Sequence, residues 1–145
     1  MTVLATFGWW HIPAALDIEH ELFHAQPWSE AMFWADLADE ERRMFAALDD
    51  DQLDGYADLA LSAGEAEVLN LAVRTSHQRR GIGAALLAVM LEAAADTEAK
   101  RVLLEVRVGN DAAISLYEHN GFQVVGRRPN YYAPGVHAML MERHG

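Results

Sequence analysis

Apolar residues recur at near-helical spacing through Ala14, Leu16, Ile18, Leu22 and Phe23, beginning just after Pro13 and stopping before Pro27. A first helical turn tolerates proline, so this stretch predicts a helix. Ser29 is placed to cap a second, short helix reaching about Leu37, with Met32, Phe33 and Leu37 on its apolar side and Trp28 at the corner. Three short apolar runs follow, Arg43 to Leu48, Tyr56 to Leu61 and Val68 to Val73, broken by Asp49-Asp-Asp51 and Ser62-Ala-Gly64. They predict an antiparallel meander, with the acidic triplet as a solvated turn. From Gly83 to Ala95 the period changes, and Leu86, Leu87, Met90, Leu91 and Ala94 fall on one helical stripe directly after a glycine-containing loop. Arg101 to Val108 predicts a buried strand, and Asp111 to Asn120 a helix capped by Asn110 and stopped by Gly121. Phe122 to Gly126 and Ala138 to Glu142 supply closing strands. The class is α/β with a mixed sheet.

A chain of 145 residues, 52% of them hydrophobic, has the material for one core, and no repeat or long linker divides it. The reading is a single domain over 1–145. Cysteine is absent, which removes disulfides, thiolate zinc sites and cysteine nucleophiles; a metal would need His and carboxylate ligands. Eleven Lys and Arg against 22 Asp and Glu give a net charge of −11. Such a charge disfavours nucleic acid as a direct partner and favours a cationic peptide or amine. The longest apolar stretch, Ile82 to Leu91, is too short to span a membrane, and Met1 to Trp10 lacks the basic start of a secretory signal. The expected location is the cytoplasm, off the membrane.

Gln78-Arg-Arg-Gly-Ile-Gly83 joins a predicted strand to a predicted helix. Glycines there let backbone N–H groups approach a ligand, the helix start favours an anion, and Arg79 and Arg80 stand by as counter-charges. The bland alternative is a glycine turn with two solvated arginines. Neither the dinucleotide pattern, which needs glycine where Leu86 stands, nor the phosphate-loop pattern of ATPases is present.

Glu105 is the one charge within Val102-Leu-Leu-Glu-Val106. A carboxylate in such surroundings suits a general base, while the bland reading is a Glu that pairs with Arg107 or points out of an edge strand. Tyr117 follows Ala113 and Ile114 on one helix side and can serve as a proton donor or as an ordinary core tyrosine. His20-Glu-Leu-Phe-His24 matches the zinc-protease pattern, but the extended form would need Gly and His where Pro27 and Glu30 stand, so no metal is expected. Trp9, Trp10 and Trp34 read as core, since aromatic side chains mostly serve packing.

The segment Gln78-Arg-Arg-Gly-Ile-Gly83 resembles the Q/R-x-x-G-x-G/A coenzyme motif of the GCN5-related N-acetyltransferases. Asn70-Leu-Ala-Val73, Leu104-Glu-Val-Arg107, Asn110-Asp-Ala-Ala-Ile-Ser-Leu-Tyr117, Gly121-Phe122, Pro27-Trp-Ser29 and Arg127-Arg-Pro-Asn-Tyr-Tyr132 resemble the bacterial ribosomal-protein-alanine acetyltransferases of the RimI type. The likeness runs from about Trp9 to Met141; the chain departs from it at Gly109, at Pro129 and in the short Ala133-Pro-Gly-Val136 loop, the last two bearing on substrate selectivity.

The resemblance implies a single-domain acetyltransferase fold, with a mixed, mostly antiparallel sheet whose central strands splay between flanking helices. It implies acetyl-coenzyme A as co-substrate, held by Leu71, Ala72 and Val73, by Arg79, Arg80, Gly81, Ile82, Gly83 and Ala84, and by Asn110. Glu105 would be the base, Tyr117 the acid, and Trp28, Tyr131 and Tyr132 the lining of a peptide channel. The implied acceptor is the basic N-terminal peptide of a ribosomal protein, the N-terminal alanine of small-subunit protein eighteen first. Another N-terminus, a lysine, a small amine, or acyl-coenzyme A binding without turnover are the alternatives.

Overall fold

The computed structural model describes residues 1–23 and 26–144. Seven strands form one sheet: β1 (Thr2–Thr6), β2 (Arg42–Asp49), β3 (Gln52–Ser62), β4 (Glu65–Val73), β5 (Arg101–Arg107), β6 (Gln123–Ala133) and β7 (Val136–His144). Their order is β1-β2-β3-β4-β5-β7-β6, and only β4 and β5 run parallel. Helices α1 (Ile12–Leu22) and α2 (Glu30–Ala38) precede β2, α3 (Ile82–Asp96) makes the crossover between the parallel strands, and α4 (Asp111–His119) links β5 to β6.

Local chemistry sets the boundaries. The Ser29 hydroxyl accepts from the Met32 N–H at 3.2 Å and starts α2, and the Asn110 side chain does the same for α4 from the Ala113 N–H at 3.3 Å. Ala63 and Gly64, both at positive φ (47° and 84°), close the tight β3–β4 hairpin. That pair of conformations matches the right-handed twist of the strands it joins. Two elements differ from the pattern-based expectation. Thr2–Thr6 is a strand, held as an edge by its antiparallel pairing with β2, and β6 continues through the arginine-tyrosine segment to Ala133.

One irregularity organises the middle of the sheet. Asp58 pairs with Asn70 but Leu59 pairs with Val68, so Leu69 is an extra residue in β4. A bulge of this kind bends its strand and resets which face each later side chain occupies. Ala66 and Val68 join the core beneath α3, with Leu86, Leu87, Met90, Leu104 and Met141. Past the bulge, Ala72 joins the second core, with Phe7, Ile18, Phe33 and Tyr56 beneath α1 and α2. Parallel pairing of β4 with β5 covers only Glu65–Val68 against Arg101–Leu104. Beyond that point the two strands diverge without a ladder between them, which is the splay implied by the resemblance. Below the fork, Arg101 bridges Glu65 on β4 (2.6 Å) and Glu142 on β7 (3.2 Å).

Candidate active site

The fork presents unpaired backbone on both inner edges: residues 69–73 of β4 and 105–107 of β5. Leu71 and Val73 turn their side chains to the α3 core and Ala72 to the α1 core, so what the segment offers the gap is main chain. Buried main-chain donors and acceptors require partners, and an extended amide-bearing arm is a chemical match. At the end of β4 the chain passes a short turn and enters α3 through Gly81, at φ 83° with no side-chain cap, so the first N–H groups of the helix stay open. Arg79 also takes positive φ (64°). Arg79, Arg80, Gly81 and Ala84 are exposed, whereas Ile82 is buried and anchors the turn in the α3 core. A hollow of about 310 Å³ lined by Thr2, Leu4, Arg80, Gly81, Ile82 and Ala85 adjoins this loop. Open helix-start N–H groups beside two arginines fit phosphate groups, and the fork fits the amide arm that a coenzyme of this type carries.

Gly83 brings the second half of the site close. A Cβ there would lie 3.6 Å from Leu116 of α4 and 3.8 Å from Val73 of β4. The next residue on α4, Tyr117, is buried, with its ring edge-on to Phe122 at 5.7 Å. Burial first, then the neighbouring Tyr132, pushes the Tyr117 phenol up to about 12. Tyr132 is likewise pushed up to about 12, by burial and then by the Glu105 carboxylate. Tyr132 therefore stands within electrostatic reach of both Tyr117 and Glu105.

Glu105 is not isolated in an apolar setting, nor is its partner the neighbouring Arg107. Arg128 of β6 lies 3.3 Å from the Glu105 carboxylate, whose side chain is 19% exposed. The Arg128 guanidinium also sits over the Tyr131 ring, 5.3 Å from its centroid. A hydrogen bond to Glu105, then burial, raises the Tyr131 phenol above its ordinary value. Glu67 completes the group: burial first, then the charge of Glu105, raises its carboxyl, while Arg128 opposes the rise. Glu67 pairs with Leu103 across the parallel register, so Glu105, two residues on, projects from the same face of the sheet.

The remaining expected residues are distributed differently. Trp28 stays outside the Glu105 group; its ring packs on Phe33 at 5.3 Å and its backbone N–H donates to Glu19 at 2.7 Å. Glu19, fully buried on α1, also accepts from the Tyr56 hydroxyl and, at 2.8 Å, from the Asn70 amide on β4. Burial and the Glu19 charge raise the Tyr56 phenol far above its usual range, so it keeps its proton and donates. Asn110 serves as the α4 cap.

The core assignment of three tryptophans does not hold. Trp9, Trp10 and Trp34 are 59%, 61% and 48% exposed. Phe33 takes the buried position on α2, and Trp34, one residue or about 100° later, turns away from it; Met32 is exposed for the same reason. Trp10 lies over the backbone of Gly8, where a Cβ would collide with its ring. Of the zinc-protease pattern, His20 is exposed on α1 and His24 lies outside the described residues. No helix among the described residues is long and apolar enough to cross a membrane.

Glu67, Arg128, Glu19 and Asp58 were not singled out by the sequence pattern. For Asp58 a signal exists: it is the one charge within the apolar run Tyr56 to Leu61, as Glu105 is within Val102 to Val106, whereas Glu67 precedes the run Val68 to Val73 and carries no such signal.

The model of the acetyltransferase (GNAT) family matches residues 12–122. The chain belongs to the GNAT acetyltransferase family. Among curated relatives of this acetyltransferase, the [ribosomal protein bS18]-alanine N-acetyltransferase of Salmonella typhimurium is 34% identical over 132 residues, 91% of this chain and 88% of the relative. The N-alpha-acetyltransferase RimI of Mycobacterium tuberculosis is 38% identical over 133 residues, covering 88% of this chain and 82% of its own. The crystal structure of the ribosomal-protein-S18-alanine N-acetyltransferase from Escherichia coli superposes with a TM-score of 0.89 at 32% identity, covering 99% of this chain and 94% of that one.

Proposed function

We propose that this acetyltransferase moves an acetyl group from acetyl-coenzyme A to the N-terminal α-amine of a protein, with the N-terminal alanine of ribosomal protein S18 as its first acceptor. The observation that carries the reading is the carboxylate of Glu105 on the edge of β5 that opens into the fork, with Tyr132 within electrostatic reach of both it and the buried phenol of Tyr117. The names of the relatives support the acceptor.

Acetyl-coenzyme A supplies an activated thioester when bound; the main chain of Leu71–Val73 would hold the arm carrying it, and Arg79, Arg80 and the open start of α3 would hold its phosphates. Glu105 takes the proton of the incoming ammonium group. At pH 7 neutralising an α-amine with pKa near 7.8 costs about 1 kcal/mol, against about 4.6 kcal/mol for a lysine near 10.4. A half-buried carboxylate such as Glu105 is matched to the first task and poorly to the second. Tyr117, raised to about 12, keeps its proton on oxygen and donates a hydrogen bond to the departing sulfur. Complete transfer to a thiolate of reference pKa about 8.5 would be uphill by roughly 5 kcal/mol, so the phenol's main contribution is stabilising the charge that builds there. The peptide enters between the residues around Trp28 and the Tyr131–Tyr132 segment.

The test is mass spectrometry of two peptides incubated with enzyme and acetyl-coenzyme A, one beginning with a free alanine, the other N-terminally blocked and carrying a lysine. Acetylation of the first alone is expected. Acetylation of the second alone would overturn the reading in favour of a lysine enzyme, and silence from both would leave only coenzyme binding. Glu105→Gln should lower kcat by about 10²-fold or more with coenzyme affinity retained.

A further inference from the structure

On the open face of β4, β5 and β6, two carboxylates share one cation. Glu105 is paired with Arg128 at 3.3 Å, and Glu67, opposite Leu103 in the parallel register, projects from the same face two positions along, where the charge of Arg128 opposes the rise that burial and Glu105 impose on its carboxyl. Arg128 itself is 54% exposed and rests over the Tyr131 ring. It is carried on a hairpin whose pairing with β7 is interrupted between Arg128 and Ala133. Within that interruption Asn130 takes φ 57°, its side chain accepts from the Gly135 N–H at 2.7 Å, and its own N–H donates to His137 at 2.9 Å. The hairpin tip is thus fixed by its own hydrogen bonds, while the Arg128 side chain remains solvent-facing and long enough to take more than one position.

The difficulty this creates for an acceptor is electrostatic. An ammonium group approaching Glu105 meets a guanidinium already there, and two cations on one carboxylate repel. The second carboxylate resolves it. We propose that Arg128 is a movable stand-in for the acceptor's ammonium group: it occupies Glu105 in the free enzyme and passes to Glu67 when the acceptor takes its place. The inference rests on Glu105 being the base. The exchange gives each carboxylate its own cation: two carboxylates have one cation between them before the acceptor arrives and one each after. Arg128 and Glu67 are positioning residues, and their contribution falls on acceptor binding rather than on the proton transfer itself.

Initial rates measured with saturating acetyl-coenzyme A and a varied peptide beginning with alanine distinguish the possibilities. Arg128→Gln removes the competitor and should lower the acceptor KM about threefold or more, whereas Arg128→Lys, which keeps the cation, should stay near the parent value. Glu67→Gln removes the second berth and should raise KM about threefold or more. In the Arg128→Gln background the Glu67→Gln effect should vanish, because nothing then needs to be relocated. A KM that rises in Arg128→Gln, or a Glu67→Gln effect of equal size with and without Arg128, overturns the exchange. Glu105→Gln is the separate control: if it leaves kcat intact, or the parent enzyme is inert towards the peptide, the base reading fails and takes this inference with it.

Discussion

Asp58 is wholly buried on β3, beside the bulge, and its carboxyl faces Asp36 of α2. Neither Asp58 oxygen has a conventional hydrogen-bond donor, and Arg42 lies 3.5 Å from Asp36 rather than on Asp58. Burial first, then the hydrogen bond to Asp36 and its charge, push Asp58 up to about 9. The folded protein therefore holds a proton that the unfolded chain, with an aspartate near 3.9, releases. Because the native state binds more protons, stability is greatest below about pH 4 as far as this group is concerned and falls by about 1.4 kcal/mol per pH unit until about pH 9. At pH 7, about three units into that window, the loss is on the order of 2 to 4 kcal/mol. Asp58→Asn has nearly the same shape, donates to Asp36 through its amide and does not titrate. It should stabilise the protein by about 2 to 4 kcal/mol at pH 7, raising Tm by roughly 6 to 13 °C for a chain of this length. The gain should shrink towards zero near pH 4. Urea denaturation of both proteins at pH 4.5, 7 and 8.5 checks this; an Asn variant that is less stable at pH 7, or that shows the parent's pH slope, would refute it.

Other outcomes follow from the same contacts. Glu19→Ala leaves the Tyr56 hydroxyl, the Asn70 amide and the Trp28 backbone N–H without their shared acceptor, and should cost about 3 kcal/mol or more in urea unfolding. Gly81→Val forces a branched side chain to φ 83° and should weaken coenzyme A binding several-fold by calorimetry. Gly83→Ala, whose new Cβ would meet only ordinary contacts, should bind nearly as the parent does, and equal losses from the two would refute the role given to the loop conformation. On the proposed role of the phenol at the departing sulfur, Tyr117→Phe should lower kcat at least tenfold while leaving the acceptor KM within about twofold.

Much of the architecture was legible because it rests on local periodicity. Leu86, Leu87, Met90 and Ala94 announce α3, and Ser29 and Asn110 make the capping contacts that their positions suggest. Thr2–Thr6 was not legible: five residues without alternation become a strand only through pairing with β2. The site divides along the same line. The Gln78–Gly83 loop is contiguous in sequence, and its strand-to-helix context is local. Glu67, Glu105 and Arg128 are brought together by the parallel β4–β5 register and by a hairpin that loses its regular pairing after Arg128, neither of which periodicity encodes. The exposed Trp9, Trp10 and Trp34 fail for the opposite reason: composition measures how much apolar surface a chain owns, while placement depends on which helix positions the sheet already fills.

Leu69 links the two levels. Without an extra residue, strict alternation would carry Asn70 to the face of Val68, placing a polar amide in the α3 core and depriving Glu19 of one of its partners. With it, Asn70 meets Glu19 under α1, while Leu71 and Val73 pack towards α3. The bulge that achieves this also bends β4, and the ladder with β5 ends at Val68, the residue before it. The same insertion thus fixes α1 to the sheet and opens the fork whose free main chain flanks Glu105. Stability of the α1 side and the geometry of the proposed acetyl-transfer site are therefore coupled through one strand. Damage to the Glu19 network should reach the site through Asn70, three residues from Val73, rather than through any direct contact with Glu105.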